Sequence, residues 1–100
     1  MTRIEYTRSR EGLHIRAKGH AGYGVSGTDI VCAAISTLLQ SLTEYALESS
    51  VLEVVSLTLN EGDADIDIRG DSECFDMTLI GLEMIAETYP DNVKMADISH

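Results

Sequence analysis

The fold turns on the reading of Gly19-His-Ala-Gly-Tyr-Gly-Val-Ser-Gly-Thr-Asp-Ile-Val-Cys32. Inside it, Gly22-Tyr23-Gly24-Val25-Ser26-Gly27 spells G-x-G-x-x-G, the string that opens a dinucleotide-binding βαβ unit. The same fourteen residues hold a histidine, His20, and a cysteine, Cys32, at opposite ends of a glycine-rich loop. One reading makes the loop a phosphate cradle in a doubly wound parallel sheet. The other makes it the working loop of a thiol enzyme on a different scaffold.

The strand before the loop opposes the cradle. In residues 13–18, Leu13, Ile15 and Ala17 alternate with His14, Arg16 and Lys18. A parallel strand in a doubly wound sheet is covered on both faces and reads as a continuous apolar run. Asp29 adds a carboxylate to the first turn of the following helix, where a phosphate would have to sit. The chain of 100 residues is also short for a full dinucleotide-binding domain.

The rest of the chain is patterned clearly. Residues 2–8 alternate, with Ile4 and Tyr6 opposite Arg3, Glu5 and Thr7, and Arg10-Glu11-Gly12 joins them to residues 13–18 as a hairpin. A second pair, 53–59 and 64–69, surrounds Asn60-Glu61-Gly62-Asp63. There Val55, Leu57, Leu59, Ile66 and Ile68 are expected to face inward, and Asp65, Asp67 and Arg69 to face water. A last strand is expected from Val93 to Ile98. One helix is expected from Asp29 to Ser50, with Val31, Ile35, Leu38, Leu39, Leu42, Tyr45 and Ala46 as its buried stripe. Thr28 suits its N-cap, and Ser26 with Asp29 resembles a capping box. A second helix from Ser72 to Tyr89 stops at Pro90. The order ββαββαβ with one-faced strands implies an α+β class, two-layer sandwich: two helices packed on one face of a mostly antiparallel sheet. A single domain is expected over residues 1–100.

Charge and composition narrow the partners. Seventeen acidic against seven basic residues give a formal charge of −10, which repels nucleic acid and anionic lipid and favours basic partners. No apolar run approaches the ~20 residues that span a bilayer, and the first residues carry no signal-peptide core. The expectations are therefore no direct nucleic acid, no membrane and a cytoplasmic location. Cys32 and Cys74 form neither a disulfide scaffold nor a zinc pair. Asp63, Asp65 and Asp67 read as a solvated strand face, so no metal and no cofactor is expected. The second helix is apolar around most of its circumference, with Phe75, Leu79, Leu82 and Ala86 on one side and Met77, Ile80 and Met84 nearly opposite. Such a helix needs a second surface, and a homodimer is the simplest one. The alternative is that the methionines fill gaps in a small core.

The thiol reading has its own chemistry. With the helix starting near Thr28, Cys32 ends its first turn, where the positive end of the macrodipole favours the attacking thiolate. It lies about 80° from the centre of the buried stripe at ~100° per residue, flanked by Ser36, Thr43 and Leu39. His20 can swing on the loop to the sulfur as general base and later protonate the leaving amine. Backbone N–H groups near Cys32 at the helix start are available to an oxyanion. The structural alternative is a small core cysteine beside Ala33 and Ala34.

Gly19-His20-Ala21, the glycines, and Asp29-Ile30-Val31-Cys32-Ala33-Ala34-Ile35-Ser36 together resemble the signature of the ribosomal-processing cysteine protease family, Prp. Length, charge and element order agree over the whole chain. The resemblance implies a small homodimeric bacterial cysteine endopeptidase. Its substrate would be a ribosomal protein precursor of the large subunit, whose N-terminal extension is removed during ribosome assembly. It implies Cys32 as nucleophile and His20 as general base and acid, with Asp29 either orienting His20 or capping the helix. Gly22, Gly24 and Gly27 would let the loop open and close on the peptide, with Tyr23 beside it. Two rivals stand against this. One is a non-catalytic acidic dimer that binds a basic ribosomal protein; the other is a nucleotide-binding module using the glycine loop. Cys74 is expected to be structural and His14 a surface residue.

Overall fold

Alternation in the first eighteen residues produces a hairpin of β1 (Thr2–Ser9) and β2 (Gly12–Lys18). The computed structural model describes residues 1–25 and 28–99. After the loop follow α1 (Ile30–Glu48), β3 (Glu53–Asn60), β4 (Asp63–Arg69), α2 (Glu73–Thr88) and β5 (Val93–Asp97). The strands form one sheet in the order β3-β4-β2-β1-β5. Its neighbours are antiparallel except β1 and β5, which run parallel. The inward residues of β2 and β4 share one core with the stripes of both helices, so α1 and α2 cover the same face. The architecture is the α+β two-layer sandwich expected from the sequence.

The register brings small residues together where the site lies. Ile15 stands between Tyr6 and Ile66, whereas one step along the strands Ala17 stands between Ile4 and Ala64. The two alanines leave room beneath the start of α1, and both line the pocket described below.

Four expectations need correction. Residue pairing slips between Val54 and Ser56, so β3 carries a bulge that leaves Val55 unpaired. Val54 therefore takes the place opposite Ile68 that simple alternation assigns to Val55. Leu57 and Leu59, expected to face inward, pair with Ile66 and Ala64, but on an edge strand they stay 42% and 37% exposed. Tyr45, assigned to the buried stripe of α1, is exposed, and Thr43 is buried instead, with its hydroxyl donating to Leu39 O at 2.8 Å. α1 ends at Glu48, because the Ser49 hydroxyl accepts from Val51 N–H and Leu52 N–H and turns the chain away. Composition also needs one revision: α1 is long and apolar enough to cross a membrane by those criteria alone. Here its Val31, Ile35, Leu39, Leu42 and Ala46 face the shared core.

The contrast between the sheet centre and its edge is measurable. Ile66→Ala is expected to cost about 2–5 kcal/mol in urea unfolding, the range for emptying a sealed core site. Leu57→Ala, directly opposite it, is expected to cost under about 1 kcal/mol, because the site already meets water.

Candidate active site

At the end of β2 the chain leaves the sheet through Gly19, whose φ is +95°. A Cβ there would also collide with the Met1 carbonyl oxygen, so the exit requires glycine. The three residues that follow the strand are held from several directions. Gly19 N–H donates to Gly62 O at 2.9 Å, extending the ladder between β2 and β4 by one step. The Thr2 hydroxyl donates to Gly19 O at 3.4 Å, and the Met1 amino group donates to His20 O. Asn92 Nδ2 donates to Ala21 O at 3.0 Å, and Ala21 N–H donates to Cys32 Sγ at 3.5 Å.

This arrangement changes the expected part played by the loop. His20 does not ride on a free segment; its backbone is tied down, and only its exposed side chain can turn. The ring lies over Gly62 in the β3–β4 turn, where a Cβ would come within 2.8 Å of Cε1 and Nε2. Gly62 has a φ of +72°, so the turn favours glycine here, and the missing Cβ leaves room for the ring to lie over it. Half-buried Cys32 sits in the first turn of α1. Among the described residues, no hydrogen bond joins the His20 ring to Cys32 Sγ, but both side chains line one pocket of about 80 Å³. Ser36 and Leu39 of α1 and residues 60–64 complete its wall.

Asp29 organises the remainder. Its Oδ1 accepts from Val31 N–H at 2.9 Å and Cys32 N–H at 3.1 Å, which caps α1. Its Oδ2 accepts from Tyr23 N–H at 2.9 Å and Gly24 N–H at 3.1 Å, which holds the loop. Thr28, suited to the cap by sequence, instead turns its hydroxyl and N–H onto Val25 O. Burial pushes the Asp29 carboxyl upward, but the N–H groups of Cys32, Gly24, Tyr23 and Val31 outweigh it and hold the group below the ordinary carboxylate value. With both oxygens on backbone donors, Asp29 is spent on the loop and the helix start. Val31 N–H and Cys32 N–H, expected to be free for an oxyanion, are taken by it. The backbone donor that reaches the sulfur comes from Ala21 instead.

Other sequence expectations fall as follows. Gly22, Tyr23 and Gly24 do not line the pocket, and the Tyr23 ring meets Tyr89 edge-on at 5.0 Å. Ser26 and Gly27, expected in the capping box and the hinge, lie outside the described residues. His14 is half-buried, not free on the surface, and its Nε2 lies 2.6 Å from Asp65 Oδ1. Asp63 pairs with Lys18, and no group of three or more metal-ligating side chains occurs among the described residues. Sequence reasoning missed Gly62 and Asn92. The turn Asn60-Glu61-Gly62-Asp63 was legible, but its meeting with His20 follows from β4 lying beside β2.

Known proteins share this fold. The family model of the cysteine protease Prp matches residues 1–94. The ribosomal processing protease Prp from S. aureus, solved with a covalently linked product peptide, superposes with a TM-score of 0.78 at 21% identity, covering 97% of this chain and 99% of that one. The same S. aureus protein with a substrate peptide gives 0.72 at 20% identity, covering 97% and 99%. SMU.848 from Streptococcus mutans gives 0.73 at 28% identity, covering 100% of this chain and 96% of that one. No curated protein matches the chain.

The Asp29 clasp has a definite pH dependence. A carboxyl with a lowered folded value contributes fully above its ordinary value of 3.8 and loses that contribution only as the pH falls through the lowered one. The amide resonances of Tyr23, Gly24, Val31 and Cys32 are therefore expected to hold steady from neutral pH to about pH 4 and to move together below it. In Asp29→Asn, whose side chain cannot accept at both atoms, this common titration is expected to vanish.

Proposed function

We propose that this chain, which belongs to the cysteine protease Prp family, cleaves a peptide bond with Cys32 as nucleophile and His20 as general base and then acid. The observation that carries this reading is the Ala21 N–H aimed at Cys32 Sγ, with His20 one residue away on the wall of the same pocket. The His20 ring turns from Gly62 towards the sulfur and takes its proton. The thiolate attacks the scissile carbonyl carbon, and the carbonyl oxygen becomes an oxyanion beside the Ala21 N–H. His20 then gives its proton to the leaving amine as the C–N bond breaks, leaving a thioester on Cys32. Water, deprotonated by His20, releases the acyl group and restores the thiol.

The substrate is the N-terminal extension of a large-subunit ribosomal protein, removed in the cytoplasm during ribosome assembly. Two things support this: the match of the Gly19–Ala21 and Asp29–Ser36 motifs, and a net charge of −10 suited to a basic ribosomal protein. The working unit is a homodimer. Its support is the outer face of the helix pair, where Met77 and Ile80 are exposed and Met84 lies with Gly81 in an open groove against Ile30 and Ala34 of α1.

Two experiments test these statements. Incubated with the ribosomal precursor, the wild-type protein is expected to trim it and Cys32→Ala to leave it intact. His20→Ala is expected to lower kcat by roughly 100-fold or more, the usual scale of a lost general base. Sedimentation is expected to give twice the chain mass for the wild type and the single-chain mass for the double variant Met77→Asp, Met84→Asp.

A further inference from the structure

Asn92 lies in the connection from α2 to β5, remote in sequence from the loop. Its backbone is fixed on both sides: its N–H donates to Tyr89 O at 3.0 Å, and its carbonyl accepts from Thr2 N–H at 2.9 Å. From this fixed base the side-chain amide donates to Ala21 O at 3.0 Å. Ala21 is almost completely buried, and its own N–H points at Cys32 Sγ. Immediately after Ala21 the glycine run begins, with Gly22 and Gly24 around Tyr23. The Asn92 bond is thus the last tie on the chain before Gly22, and the next is the Asp29 clasp on the Tyr23 and Gly24 N–H groups. We propose that Asn92 is a positioning residue for the reaction: it holds Ala21 so that its N–H stays directed at the sulfur and at the charge that develops beside it.

The chemistry requires a donor at this place. Ala21 O can only accept, so a neutral amide N–H satisfies it, whereas a carboxylate of the same shape would face it oxygen to oxygen. Without the bond, the Ala21 carbonyl has no anchor between the tie at His20 O and the Asp29 clasp on Tyr23 and Gly24, and the peptide can rotate about Gly22. The donor then spends less time aligned with the reacting atoms, which lowers the rate of the chemical step more than it weakens peptide binding.

The inference rests on Cys32 being the nucleophile, so Cys32→Ala is run alongside. Asn92→Asp and Asn92→Ala are compared with the wild type for kcat and KM on the precursor, and for alkylation by iodoacetamide at Cys32, with Cys74 as internal reference. The expected result is a fall in kcat of about tenfold with KM changed less than about threefold, and slower alkylation at Cys32 but not at Cys74. Full kcat in a folded Asn92→Asp variant would overturn the proposal while leaving the nucleophile in place. Cleavage that survives Cys32→Ala would instead overturn the protease assignment on which it stands. Should neither Asn92 variant fold, the wild type decides. Carboxymethylation of Cys32 is expected to shift the Ala21 N–H and Asn92 side-chain amide resonances together, and a shift at Ala21 alone would refute the coupling.

Discussion

Four backbone N–H groups converge on the buried carboxylate of Asp29, and the arrangement of the site depends on that convergence. One oxygen closes the open end of α1 around Cys32; the other ties back the loop at Tyr23 and Gly24. A helix start leaves several N–H groups without partners, and a glycine-rich segment has little intrinsic preference for one path. A single short acidic side chain resolves both. It also occupies the Val31 and Cys32 N–H groups, and the backbone donor that reaches the sulfur is that of Ala21.

The second constraint is topological. Because β4 lies between β3 and β2, the turn that ends in Gly62 comes to rest against the exit from β2. The His20 ring then finds its support on a segment more than forty residues away. The alanine pair Ala17 and Ala64 opens the floor of the pocket at the same level, while bulkier pairs such as Ile15 and Ile66 fill the sheet centre. Position in the sheet thus divides one ladder into a packed half and a hollow half.

What was legible in the sequence follows from this division. The strands declared themselves by alternation and the helices by their stripes, because those signals are local and repeat. Val55 broke the pattern through a bulge that shifts the side-chain phase by one residue. Tyr45 broke it because an amphipathic stripe does not say how wide an arc the sheet will cover. The pair His20 and Cys32 was legible from a motif. Gly62 and Asn92 were not, since each acts through one contact made only by the folded chain. A glycine in a turn and an asparagine in a connection two residues past a proline have ordinary local explanations that hide such contacts.

The central claim is that Cys32 takes up the acyl half of the substrate, and it is most directly tested by trapping that species. Wild-type protein mixed briefly with the ribosomal precursor, quenched in acid and digested, is expected to yield a thioester-linked adduct on the peptide containing Cys32. Its mass should equal that of the cleaved extension less one water. An adduct confined to Cys74, or complete cleavage by the wild type with no thioester on Cys32 at any quench time, would contradict the account.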